Sequence, residues 1–121
     1  MRHDVRLKRV YERPSREDGL RVLVDRLWPR GLSRARAGAD LWLKEVAPSP
    51  ALRRWFGHDP RRWQHFRRRY RAELAHHPDE LRVLKDLRRR GPITLLFAAR
   101  DEAHNNAVVL RDVLDGRKTD A

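Results

Sequence analysis

The sequence predicts a single-domain α/β fold, a three-layer sandwich whose small, largely parallel sheet is covered by helices. Three observations carry that prediction. Residues 20–24 and 92–98 are apolar runs rich in strand-forming types, and the second, Pro92-Ile93-Thr94-Leu95-Leu96-Phe97-Ala98, is close to continuous. Continuous apolar strands are covered on both faces, as in parallel sheets. Roughly sixty residues between the runs read as helical, ample for a crossover connection. At 121 residues the chain is long enough for one domain and short for two.

Taken in order, Val5-Arg6-Leu7 and Val10-Tyr11 alternate loosely, as a half-exposed edge strand does. Residues 12–19 contain Pro14, Ser15 and Asp18-Gly19 and read as a turn. Such a short connection predicts antiparallel pairing of the first two strands, with a one-turn helix and a parallel pair as the alternative. Residues 41–46 predict a short helix ended by Pro48. Ser49-Pro50 supplies an N-cap and a first-turn proline for a helix that stops at Gly57, and Asp59-Pro60 repeats the device. The helix it opens carries Trp63, Phe66, Tyr70 and Leu74 as one apolar stripe. Pro78-Asp79 opens another, with Leu81, Leu84 and Leu87, that ends at Gly91-Pro92. After the second apolar run a last helix is expected, capped by Asp101, with Ala103, Ala107, Leu110 and Leu114 on its inner face. The domain is expected to span 1–116, with 117–121 a frayed tail.

Lys and Arg number 29 against 17 acidic residues, a formal charge of +12, and charged residues make up 38% of the chain. That field attracts anions, from free phosphate to nucleic acid. The same arginine bias also arises from a GC-rich genome, so charge alone selects no partner. There is no cysteine, which excludes disulfides, thiolate nucleophiles and zinc–thiolate sites. The polar start and the lack of any long apolar run lead to an expectation of a cytoplasmic protein with no membrane partner. His58 and His65, or His76-His77, lack metal-ligand spacing, so neither metal nor cofactor is expected.

Two strand exits concentrate polar chemistry: Asp25-Arg26-Leu27-Trp28-Pro29-Arg30-Gly31, and Ala99-Arg100-Asp101-Glu102-Ala103-His104-Asn105-Asn106. If the strands are parallel, both exits share the carboxyl edge, where open α/β sheets hold ligands. Arg26, Arg30 and Arg100 would then bind an anion, and His104 would carry a proton. Asp25 would act as base or orienting group, Trp28 would wall the site, Leu27 would pack inward, and Asn105 would hydrogen-bond ligand. His58, between two helices, is an outside candidate. Each has a plainer reading: Asp25 as a structural ion pair with Arg26, Arg30 or Arg100, Trp28 as a core lid, His104 and Asn105 as helix-capping groups. Arg61, Arg68, Arg69 and Arg89 offer a different surface, either solvated or a phosphate-tracking face for nucleic acid. The buried stripe claims this helix's aromatics, so a stacking platform is not expected there.

These motifs carry a resemblance. Asp18-Gly19 with 21–31, Trp42-Leu43-Lys44-Glu45, Pro48-Ser49 and 52–60 are similar to the bacterial YeaO-like family of unknown function. So are Phe66, Arg69-Tyr70-Arg71, Glu73-Leu74, 94–99, Asp101-Glu102, His104-Asn105 and Ala107-Val108, which extends the resemblance over nearly the whole chain. It implies a small cytoplasmic bacterial α/β protein and supplies no reaction. Wider relatives share a strand ending in Val-Asp-x-Arg, to which Val24-Asp25-Arg26 is similar. Some carry a cysteine after the last strand, and this chain has none. The leading functional expectation is a site for a phosphate-, nucleotide- or carboxylate-bearing ligand, with or without acid–base catalysis. The alternatives are a basic nucleic-acid-binding module and a non-catalytic stress-response or structural partner.

Overall fold

In the computed structural model, which describes residues 3–117, four strands form one sheet: Val5–Arg9 (β1), Leu20–Leu23 (β2), Leu41–Trp42 (β3) and Ile93–Phe97 (β4). Their order is β1-β4-β2-β3 and every neighbouring pair is parallel. The fold is the expected single-domain α/β architecture. The expected tail at 117–121 lies, apart from Arg117, outside the described residues.

The antiparallel pairing of the first two strands does not form. β4 lies between them, in register Val5↔Ile93 on one side and Leu20↔Ile93 on the other. The physical reason is burial: all five β4 positions are buried, so this strand takes the centre and needs a neighbour at each edge. The connection at 12–19 instead carries a 3-10 turn, Arg16–Asp18, that steps across the end of β4. Gly19 makes the step possible with φ +61; a Cβ there would stand 2.1 Å from the Pro92 carbonyl oxygen.

The helix expected at 41–46 is likewise replaced, by β3 and a 3-10 turn at Lys44–Val46. Sheet completion outweighs local helix preference here. Asp40 donates its N–H to the Arg21 carbonyl at 2.8 Å, and Leu43 donates to Leu23 at 2.9 Å.

The helices are Arg34–Ala37 (α1), Pro50–Phe56 (α2), Trp63–Leu74 (α3), Pro78–Arg90 (α4) and Asn106–Leu114 (α5). Ser49 and Asp59 cap as their sequences predict, accepting from the N–H groups of Leu52 and Arg61. α2 to α5 cover one face of the sheet, where Val22, Val24, Leu95 and Phe97 meet Phe56, Phe66, Tyr70 and Leu110. Burying a side chain of this size contributes about 1.5–3 kcal/mol. Tyr70 also donates its hydroxyl to the Val46 carbonyl, which ties α3 to the segment leading into Ala47 and Pro48.

The opposite face is thinly covered, by α1 and loops around a small cluster of Val10, Leu23, Ala37 and Leu96, with Trp28 and Trp42 against it. Below that cluster lies a buried polar knot. The Arg21 guanidinium donates to Asp18 at 2.8 Å and to the carbonyls of Gly38, Ala37 and Glu12. Lys8 joins Asp18 from β1 at 3.1 Å. Burial alone would raise the Asp18 carboxyl, but the Ser15 N–H, Arg21, Lys8 and the Ser15 hydroxyl together hold it well below the usual carboxylate range.

Candidate functional site

Because β2 and β4 are parallel neighbours, the segments that follow them leave the same edge of the sheet. They open onto a cleft of about 700 Å³. Asp25, Arg26, Trp28 and Arg30 line it from the first exit, and Arg100, Asp101, Asn105 and Asn106 from the second. Ala47 and Pro48 form a side wall, α2 and its end add Arg53, Phe56 and His58, and Phe66 of α3 and Tyr11 after β1 complete the lining. Volumes of 300–1,000 Å³ are typical of small-molecule sites.

Asp25 sits deep in this cleft and is paired with no arginine. Its Oδ2 accepts from the Ala98 N–H at 2.9 Å and its Oδ1 from the Asn106 amide at 3.1 Å. The plainer reading, an ion pair with Arg26, Arg30 or Arg100, is not formed: no salt bridge involves Asp25 among the described residues. Burial pushes its carboxyl up, and the Ala98 N–H, the Asn106 amide and the charges of His58 and Arg53 offset this only in part.

That shift has a pH signature. The folded protein holds the Asp25 proton more tightly than the unfolded chain does. Its contribution to stability therefore falls as pH rises from the unfolded carboxyl value, about 4, through its raised folded value. Asp25→Asn removes the fall. In urea melts from pH 4 upward, the variant is expected to gain on the parent as pH rises and then level off. A pH-independent difference would contradict the shift.

The arginines of the cleft are held differently. Arg26 donates Nε and Nη2 to the carbonyls of Pro48 and Ala47, at 3.3 and 3.2 Å, which fixes its plane against the side wall. Arg30, Arg53 and Arg100 form no ion pair among the described residues. Pro29 is buried at the rim and Gly31 turns the chain with φ +70. Trp28 lines the cleft while its Nε1 donates to the Leu32 carbonyl and its ring meets Trp42 edge-on at 5.4 Å. It is thus both wall and core lid. Leu27 is 58% exposed and lies at the cleft mouth, against the expectation that it packs inward, because the turn directs Pro29 and Trp28 to the core instead.

The last helix begins four residues later than the sequence predicts. Asn105, not Asp101, is its cap and accepts from the Val108 N–H at 3.2 Å. Asp101 closes a tight turn by accepting from the N–H groups of Ala103 and His104. The delayed start swings His104 away. It does not line the cleft; its Nδ1 lies 2.9 Å from the Asp101 carboxylate and its ring meets Trp63 edge-on. The hydrogen bond to His104 holds the Asp101 carboxyl below its ordinary value. Asn105 is buried and committed to Asp101 and Val108.

His58 does reach the lining, in a left-handed conformation with φ +56 directly after Gly57. A non-glycine residue there costs about 1–2 kcal/mol. Sequence reasoning missed Arg53, Tyr11 and the bond from Asn106 to Asp25. Arg53 lies one helical turn before Gly57 and so shares the His58 side of α2, a spacing readable in advance. Asn106 is a poor helix former at a helix start, which points to a side-chain role.

The nucleic-acid candidates lie elsewhere. Arg61 pairs with Asp59 and Arg89 with Asp86, both in exposed positions. Arg68 is exposed with no ion pair among the described residues, and Arg69 lies over the Trp55 ring at 4.5 Å. No group of three or more His, Asp or Glu side chains among the described residues is placed to hold a metal. No described helix is long and apolar enough to cross a membrane.

Comparison with known proteins gives a family and no reaction. A family model described as the inactive DUF488-N3 subclade matches residues 4–120. The uncharacterized protein YeaO of Escherichia coli K12 is 42% identical over 111 residues, covering 92% of this chain and 96% of YeaO. The uncharacterized protein Rv3073c of Mycobacterium tuberculosis H37Rv is 43% identical over 113 residues, covering 93% of this chain and 95% of its own. No solved structure matches the chain significantly. A match that runs from residue 4 to residue 120, with full-length relatives above 40% identity, places this chain in the YeaO-like family, within the subclade described as inactive DUF488-N3.

Proposed function

We propose that this protein binds a small anionic ligand, bearing phosphate or carboxylate, in the carboxyl-edge cleft. One observation carries the reading: Arg26, Arg30, Arg53 and Arg100 all line the cleft, and none has a carboxylate partner among the described residues. Guanidinium groups gathered without a paired carboxylate suit an external anion, to which their hydrogen bonds are charge-assisted. Binding without turnover is favoured. His104 is turned toward Asp101 and away from the cleft, so the proton carrier expected from the sequence is not at hand there, and the matching family model is described as inactive.

Thermal unfolding in inorganic phosphate and pyrophosphate tests this. The melting temperature is expected to rise with either anion beyond the effect of matched chloride, since saturation at 100 times Kd adds about 2.7 kcal/mol. Arg26→Ala is expected to lose most of the rise. An equal rise in the variant, or none in the parent, would contradict the proposal.

One observation favours a second reading, a nucleic-acid surface on α2 and α3. Trp55 carries two guanidinium groups over its ring, Arg62 at 5.1 Å and Arg69 at 4.5 Å, and Arg68, next to Arg69 in the sequence, is exposed. Duplex binding that is steeply salt-dependent, lost in Arg68→Glu/Arg69→Glu and untouched by Arg26→Ala, would favour this surface over the cleft.

A further inference from the structure

We infer that Asp25 makes the cleft selective for hydroxylated phosphomonoesters, its carboxylate accepting a ligand hydroxyl while the arginines hold the phosphate. The inference rests on the anion-binding reading above and goes further, to the chemical class of ligand.

Four features meet here. First, an anion site gains nothing from a carboxylate in its floor, which repels a bare anion and is costly to bury. Asp25 is nevertheless there, and no arginine forms an ion pair with it among the described residues. Second, its hydrogen bonding is incomplete. Each oxygen accepts one N–H, from Ala98 and from Asn106, and an ionised carboxylate offers about four acceptor sites. The remaining sites belong to a carboxylate that lines the cleft, where a ligand donor can reach them.

Third, the protein holds this carboxylate in place from two elements. Asn106 donates to both Asp25 and the Val24 carbonyl, and Trp42 Nε1 donates to the Asp25 carbonyl at 2.7 Å. A group fixed in this way suits recognition of a hydroxyl at a defined position. Fourth, the cleft of about 700 Å³ is far larger than inorganic phosphate requires. Phe56, Phe66 and Pro48 offer apolar contact for the body of a ligand that carries its phosphate and its hydroxyl at separate points.

A site built to pair with a ligand hydroxyl rejects the analogue that lacks it, because the buried acceptor is then left short of a donor. Calorimetric titration with three probes reads this selectivity: inorganic phosphate, glucose 6-phosphate, and cyclohexylmethyl phosphate, which has a similar shape and no hydroxyls. In the parent, glucose 6-phosphate is expected to bind at least tenfold more tightly than cyclohexylmethyl phosphate. In Asp25→Asn that ratio is expected to fall below about twofold, while inorganic phosphate binds more tightly because a like charge has gone. Phosphate binding in the parent with no preference between the two esters would overturn the inference and leave the anion-binding reading standing. So would a preference that survives in Asp25→Asn. Failure of all three probes to bind the parent would overturn both.

Discussion

Arg21→Ala is expected to destabilise the protein by about 3–5 kcal/mol, the range for removing one partner of a buried ion pair. Arg21 is 3% exposed. Its guanidinium holds Asp18 at 2.8 Å, and three backbone carbonyls, those of Glu12, Ala37 and Gly38, converge on it. Truncation takes a donor from three backbone carbonyls and the closest cation from Asp18, which keeps Lys8 and Ser15, on the more thinly covered face of the sheet. Total stabilities of such domains are 5–15 kcal/mol, so the loss is a large share of the whole. Arg21→Lys is expected to recover only part of it, because a single ammonium cannot reproduce the planar fork. A double change, Asp18→Asn with Arg21→Met, is expected to cost less than the sum of its parts, since both single changes remove the same Asp18–Arg21 contact.

Asp18 also leaves a pH signature opposite to that of Asp25. Its folded value lies below its unfolded one, so the stability it contributes is present above about pH 4 and is lost as pH falls toward the folded value. Urea unfolding of the parent and Arg21→Ala measures both effects. A difference under about 1 kcal/mol would contradict the description of this knot as a principal support of the second face.

Arg53→Glu is expected to weaken inorganic phosphate binding by on the order of 100-fold, about 2.7 kcal/mol, with almost no effect on folding. Arg53 is exposed on α2, its backbone is bonded within the helix, and its guanidinium makes no hydrogen bond or ion pair with the protein among the described residues. Its side chain lines the cleft, and its charge is felt at Asp25. Charge reversal removes one charge-assisted contact and adds a repulsion, and raising ionic strength should shrink the difference. Arg53 is a cleaner probe than Arg26, whose bonds to Ala47 and Pro48 also hold the side wall. Calorimetry with unchanged urea midpoints would show the effect; an affinity within threefold of the parent would contradict a role for Arg53 in binding.

The fold was legible where a residue pattern maps directly onto burial. The apolar run at 93–97 announces a covered strand, and Ser49-Pro50 and Asp59-Pro60 announce helix starts. Strand order was not legible, because periodicity reports which faces are buried and not which strand is the neighbour. That is why β4 could enter between β1 and β2 unseen. Arg21 interrupts an apolar run, yet nothing local shows that Asp18 and three carbonyls from distant segments converge on it.

At the site, the meeting of Asp25 with the 98–106 segment followed from two parallel strand exits. The position of His104 did not. Asp101 and Asn105 are both competent helix caps, and the choice between them moves the start of α5 by four residues and His104 out of the cleft. Local capping preferences are close in energy. Burial accompanies the choice: Asn105 is 2% exposed, and its amide is bonded to Asp101 and Val108 where the helix now starts. The crowding of charge into 25–31 has a physical account as well. Trp28, Pro29 and Gly31 shape the turn, while Asp25, Arg26 and Arg30 face the cleft.

The most direct test of the central claim, that the carboxyl-edge cleft is an anion site, is a backbone amide NMR titration of the full chain with inorganic phosphate against chloride at equal ionic strength. Saturable shifts are expected to cluster at 25–31, 53–58 and 98–106. Shifts confined to the arginines of α3 and α4, or a response to phosphate no different from that to chloride, would contradict it.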